Sequence, residues 1–227
     1  MTHVPPTPLS IPADCQHVAL FGGTFDPPHV AHVSLADVAR RDLERRLGSP
    51  VLLVFVPAAR SPHKDNAPTA SDTQRAQMLR LAAAELANSA IWTDELDRAV
   101  KGEPSYWLRT LERAREVIGD RSLTFIIGTD QALSFHRWRG PREMLELAGV
   151  LVLPREPIAT AEQLRDELAK IGFWNEKELD RWAESFVDVD LLRAASTEVR
   201  QAQGSPFATP LHPKVLAYAK EQGLYGL

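Results

Sequence analysis

The run Leu20-Phe21-Gly22-Gly23-Thr24-Phe25-Asp26-Pro27-Pro28-His29-Val30-Ala31-His32 decides the fold. Its first residues close an apolar segment that starts at Val18 and has the character of a buried strand. Gly22 and Gly23 then allow a sharp turn or the close approach of a ligand. Asp26 is placed to cap a helix that opens at Pro27 or Pro28, where proline's fixed φ suits the first turn. On such a helix His29 and His32 share one face. Strand, glycine turn and helix start together make a seat for phosphate, since free N–H groups and the positive end of the helix dipole converge there.

Outward from this stretch, the pattern alternates. Val33, Ala36, Ala39, Leu43 and Leu47 recur at helical spacing up to Gly48, and Val51–Val56 is a continuous apolar run of the kind a sheet buries on both faces. A loop from Pro57 to Pro68 carries Ser61, His63 and Lys64. Ser71 with Gln74 forms a capping box ahead of Leu79, Ala82, Ala83 and Leu86. A short strand is expected at Ile91-Trp92, and a helix opening at Pro104 carries Trp107, Leu111, Ala114 and Ile118 inward. Leu123–Ile127 is a further strand running into Gly128-Thr129-Asp130. Val150–Leu153 is another, followed by a helix capped by Thr160 and Gln163. Phe186–Leu192 has strand character, Ser196 starts a short helix, and a last helix runs from Pro213 to Gln222 with Gly223 as its stop. The stretch 173–185 gives no clear pattern. Strands alternating with helices predict an α/β fold with a doubly wound parallel sheet. Ligands in such sheets bind at the carboxyl ends of the strands, where the glycines, histidines, Asp130 and the Ser196-Thr197 pair all fall.

Bulk properties agree with a metabolic enzyme. The chain has 227 residues and a formal net charge of −4, which argues against nucleic acid or an anionic membrane as partner. Cys15 is the single cysteine, so neither an internal disulfide nor a cysteine-rich zinc site is possible. No membrane-length apolar run or signal pattern is present, and a cytoplasmic location is expected. Residues 1–16, rich in proline, read as a flexible tail preceding a single domain over 17–227. No G-x-G-x-x-G or G-x-x-x-x-G-K-[ST] occurs, which sets aside dinucleotide dehydrogenases and P-loop ATPases. His29 and His32 lack the further ligands that zinc would need, so no metal site is expected.

Gly23-Thr24-Phe25-Asp26-Pro27 with His29-Val30-Ala31-His32 resembles the signature of nucleotidyltransferases carrying H-x-G-H, with Ala31 in place of the glycine. The fuller form, with Gly22 and Pro28, is similar to that of the bacterial nicotinate-mononucleotide adenylyltransferases. Ser196-Thr197-Glu198-Val199-Arg200 resembles the family's second signature, Gly128-Thr129-Asp130 with Trp138 its G-x-D-x(7)-W, and His63-Lys64 its P-P-H-[KR] loop. The resemblance spans Val18 to Tyr225 and implies a Rossmann-like nucleotidyltransferase fold. It also implies transfer of the adenylyl group of ATP to nicotinate mononucleotide, giving the deamido dinucleotide and pyrophosphate, with Mg²⁺ carried on the ATP phosphates.

By the same resemblance His29, His32 and Arg200 are catalytic, and Gly22, Gly23, Thr24, Phe25, Ser196, Thr197 and Lys64 hold ATP phosphates. Asp130 and Trp138 bind the mononucleotide's ribose and pyridine, although Trp138 reads equally well as a core residue. The amides of Ser105, Tyr106 and Trp107, in the first turn of the helix opening at Pro104, are set to read the pyridine carboxylate, with Glu103 as the nearby opposing charge. Trp107 is as readily a core residue, standing where the family has threonine. Transfer to nicotinamide mononucleotide or phosphopantetheine, or nucleotide binding without turnover, are the competing readings.

Overall fold

In the computed structural model, residues 5–59, 68–99, 105–187 and 210–227 are described. Five parallel strands make the sheet: β1 (His17–Gly23), β2 (Val51–Pro57), β3 (Ser89–Ile91), β4 (Ser122–Gly128) and β5 (Gly149–Leu153), in the order β3-β2-β1-β4-β5. The order reverses between β1 and β4, so the crevice of a doubly wound sheet opens beyond Gly23 and Gly128.

The strands are apolar on both faces, and the residues divide cleanly. Val18, Leu20, Leu52, Val54, Val56, Leu123, Phe125 and Ile127 point to one layer; Ala19, Phe21, Val51, Leu53, Phe55, Ile126, Leu151 and Leu153 point to the other. On the second face lie α1 (Val30–Leu47) and α2 (Asp72–Ala83), through Ala36, Ala39, Leu43, Leu79 and Ala83. A short α3 (Asp94–Ala99), absent from the sequence reading, precedes α4 (Trp107–Ile118). Leu111, Ala114 and Ile118 of α4 fill the first face, joined by Leu164 and Leu168 of α7 (Ala161–Ile171) and Leu179 of α8 (Glu176–Glu184). Between them come α5 (Thr129–Ser134), a 3₁₀ turn at Phe135–Arg137 and α6 (Pro141–Leu147). The last helix, α9 (Pro213–Glu221), packs on α2 through Val215, Ala219, Met78 and Ala82. Among the described residues no helix is long and apolar enough to cross a membrane.

Local rules placed several boundaries. Ser71/Gln74 and Thr160/Gln163 both form reciprocal capping boxes, and Gly48 closes α1 at φ 66°. The stretch 173–185, which gave no pattern, contains α8, capped by Asn175 and Glu178 and buried through Leu179 and Trp182. Of the expected strand at 186–192, Phe186 makes one parallel bridge to Val152, and residues 188–192 lie outside the described ones.

The tail reading needs correction for residues 5–16. Cys15 is fully buried in the core, and Leu9 and Ile11 pack against it. The Trp92 indole N–H donates to the Thr7 carbonyl at 2.7 Å, Arg113 donates to the Pro5 carbonyl, and the Thr7 amide donates to Asp94 at 2.9 Å. Prolines keep a segment extended, and an extended segment can still satisfy buried donors with its carbonyls. Composition alone does not show those partners.

Candidate active site

The signature loop leaves β1 at Gly23 and reaches α1 later than expected. His29, not Asp26, is the N-cap, with φ −105° and ψ 165°, and α1 opens at Val30. Asp26 instead accepts the amides of Thr69 at 2.5 Å and Ala70 at 3.1 Å, and the Tyr225 hydroxyl at 2.5 Å. A carboxylate with partners from two distant segments holds the loop better by those bonds than by capping its own helix.

The two histidines cap each other. The His32 amide donates to His29 Nδ1 at 3.2 Å, and the His29 amide donates to His32 Nδ1 at 3.3 Å. Their rings stack with centroids 3.4 Å apart. A backbone N–H can only donate, so each Nδ1 must present a lone pair. Both rings are then neutral with the proton on Nε2. For His29, burial, and secondarily the Arg155 charge, pushes the pKa down to about 4. The row of free helix amides expected here is partly spent: Val30 N–H donates to the Pro210 carbonyl and His32 N–H to His29.

Phe25 is 1% exposed and packs edge-on to His32 with centroids 5.3 Å apart. Its side chain therefore braces His32 rather than facing a nucleotide. Gly22 and Gly23 have no room for a side chain. A Cβ on Gly22 falls 2.7 Å from the Trp107 ring, and one on Gly23 falls 2.9 Å from Phe25.

Across the switch point, Gly128 caps α5, whose first turn carries Asp130. A cleft of about 470 Å³ joins the two strand ends, and its lining includes Gly22, Gly23, Thr24, His32, Ser105, Tyr106, Trp107, Asp130 and Trp138. Trp138 follows the 3₁₀ turn, with its ring 5.0 Å from Phe135, so one residue serves core and cleft together. The expected helix start at Pro104 is corrected in part. Trp107 is the first residue of α4 and Tyr106 its N-cap, so Ser105 and Tyr106 precede the helix; residues 100–104 lie outside the described ones. Trp107 packs against Phe125, as its core reading expected, and its ring also lines the cleft. His63, Lys64, Ser196, Thr197 and Arg200 lie outside the described residues.

The profile of the cytidylyltransferase-like family matches residues 20–202. The chain belongs to that family. A Rhodopirellula baltica protein named "Probable nicotinate-nucleotide adenylyltransferase" is 34% identical over 81% of this chain and 80% of its own. One of the same name from Methylococcus capsulatus is 33% identical over 92% of this chain and 99% of its own. Among solved structures, the Plasmodium falciparum nicotinic acid mononucleotide adenylyltransferase complexed with NaAD superposes with a TM-score of 0.56 at 13% identity, covering 92% of this chain and 97% of that one. At that identity the likeness is one of fold.

The site of this cytidylyltransferase-like chain holds residues that its sequence did not single out. Arg155 follows β5 by two residues and sits 3.8 Å from Asp130, both side chains half-exposed. The Thr129 hydroxyl accepts the Arg155 amide and donates to its carbonyl, each at 3.1 Å, fixing the chain where the guanidinium emerges. The rule that ligands gather at carboxyl strand ends pointed to this position without naming the residue. Buried Arg75 donates to the Thr24 and Ala58 carbonyls at 2.6 and 2.7 Å, tying the signature loop to the end of β2; no motif announces it. Glu95, 2% exposed, also reaches the cleft lining. Burial pushes its carboxyl up from the usual range, opposed by a 2.5 Å hydrogen bond from Thr110 and by Arg98.

Proposed function

We propose that this nucleotidyltransferase joins nicotinate mononucleotide to ATP, giving the deamido dinucleotide and pyrophosphate. The observation that carries the reading is the meeting, across β1 and β4, of His32, locked to His29 by reciprocal hydrogen bonds, with Asp130 and Trp138 in one cleft. The names of its relatives point the same way.

In this mechanism an oxygen of the mononucleotide 5′-phosphate attacks the α-phosphorus of ATP in line. A new P–O bond forms as the bond to the bridging oxygen breaks, and pyrophosphate leaves with that electron pair. The protein supplies position and charge stabilisation rather than a nucleophile. His29 and His32 donate Nε2–H to the non-bridging oxygens, whose charge grows in the transition state; pre-set donors suit that task because they need no reorganisation. Asp130 accepts from a ribose hydroxyl, and Trp138 stacks the pyridine. Arg155, beside Asp130, adds a cation near the phosphates. By the family resemblance, Lys64, Ser196, Thr197 and Arg200 hold the β- and γ-phosphates, and Mg²⁺ arrives with the ATP substrate.

Pyrophosphate release, measured with ATP and nicotinate mononucleotide, nicotinamide mononucleotide or phosphopantetheine, tests the reading. Turnover with the first mononucleotide well above the others supports it. Turnover with phosphopantetheine alone, or with none, overturns it.

A further inference from the structure

We propose that Arg139 is the side chain that reads the pyridine 3-carboxylate and so sets preference for the acid over the amide; this rests on the function proposed above. Arg139 is an exposed residue of the cleft lining, one position after Trp138. Its guanidinium carbon lies 5.3 Å from the centroid of the Tyr106 ring, on the ring's face.

That position decides what the group can do. A guanidinium held over an aromatic face keeps its N–H donors, none of which a described residue takes up here, and two of them can meet a carboxylate by parallel hydrogen bonds. Tyr106 is the N-cap of α4, so the cation is carried by the residue at that helix's positive end, and the two fields add for an anion.

The cleft's own carboxylates do not claim Arg139. Asp130 faces Arg155 at 3.8 Å, and Glu95 is engaged by Thr110 and Arg98. Among the described residues no carboxylate lies within ion-pair distance of Arg139. Arg137, the other cation on this stretch, donates instead to His136 at 3.3 Å. Tyr106 under the guanidinium, the neighbouring Trp138 and the unclaimed Arg139 donors together describe a pocket for a flat ring bearing an anionic substituent, the class to which a pyridine-3-carboxylate belongs.

The test compares kcat/KM for nicotinate and nicotinamide mononucleotides in wild type, Arg139→Lys, Arg139→Ala and Arg139→Glu, with circular dichroism to confirm folding. Wild-type turnover comes first: if neither mononucleotide reacts, the underlying function fails and this inference with it. If wild type turns over, the acid-to-amide ratio is expected to fall about tenfold or more in Arg139→Ala. The fall should be smaller in Arg139→Lys and larger in Arg139→Glu, with the loss carried by the acid. An unchanged ratio, or equal losses for both substrates in folded variants, overturns the inference, since equal losses mean that Arg139 only packs on Tyr106 or holds a group common to both.

Discussion

His29 and His32 each accept the other's backbone amide on Nδ1, at 3.2 and 3.3 Å, with their rings stacked 3.4 Å apart. A helix cap and the proposed pair of phosphate donors are thereby one object. Protonating either Nδ1 deletes a cap bond as well as altering a donor.

His29 is therefore expected to stay neutral, with the proton on Nε2, down to a pH of about 4. Nitrogen-15 shifts of the imidazole rings report tautomer and charge directly. A proton on Nδ1 at pH 7, or a midpoint at the ordinary 6.5, would refute the arrangement. Arg155→Ala should raise the midpoint only partly, because burial is the larger cause.

The same shift has a sign for stability. Unfolded His29 takes a proton at about 6.5 and folded His29 only at about 4, so the unfolded chain binds more protons between those values. His29 thus stabilises the fold fully above 6.5, and that contribution drains away as pH falls toward 4. At full strength the shift is worth about 3 kcal/mol; solvent screening at this partly exposed site lowers the expectation to about 1–2 kcal/mol. Denaturant melts of wild type and His29→Asn at pH 7.5 and 5 measure it, and equal pH dependence in both proteins counts against it.

His29→Asn also separates cap from chemistry. Asparagine caps helices well, whereas His29→Ala forfeits about 1 kcal/mol of helix stability. Turnover should fall roughly 10²-fold in both variants, since neither presents the imidazole N–H. Recovery of normal turnover in His29→Asn would assign His29 to folding alone.

Gly22 and Trp107 should be coupled. A Cβ at Gly22 meets two atoms of the Trp107 ring at 2.7 and 2.8 Å, and that rigid ring is half-packed against the core. Gly22→Ala is expected to cost about 1–3 kcal/mol through overpacking. In Trp107→Thr the same change should cost much less. Additive losses in the double-mutant cycle would show that the two positions do not touch.

The chain's end holds its beginning. Tyr225 donates its hydroxyl to Asp26, 199 positions away in sequence, and burial together with that carboxylate keeps the phenol protonated. Tyr225→Phe should lower stability by about 1.5–3 kcal/mol, the range for a hydrogen bond to a charged group. It should also reduce kcat more than it raises the KM for ATP, because the loop keeps Thr69 and Ala70 as anchors. Unchanged melting and unchanged kcat would remove Tyr225 from the account.

What the sequence alone determined is whatever depends on near neighbours. Continuous apolar runs at 51–56 and 123–127 read as strands because a doubly covered parallel sheet demands them. Ser71/Gln74 and Thr160/Gln163 read as caps because the capping box closes within four residues, and Gly48 and Gly223 read as stops because φ near 60° suits glycine. The cleft was legible as a set of motifs at strand ends. Only the tertiary structure decided which partner each polar group takes. Asp26 had a plausible local helix to cap, but Thr69, Ala70 and Tyr225 come from segments 43, 44 and 199 residues away and offer three bonds in place of one. Residues 5–16 looked like a tail because their partners, Trp92, Asp94 and Arg113, lie 85, 87 and 108 residues further on. Arg75, Arg155 and Arg139 carry no local signature, since a guanidinium's role is set by the carbonyl, carboxylate or ring it meets across the fold. Hydrogen-bond geometry is short-ranged in space and indifferent to sequence distance, so a cap can be read along the chain and a long-range partner cannot.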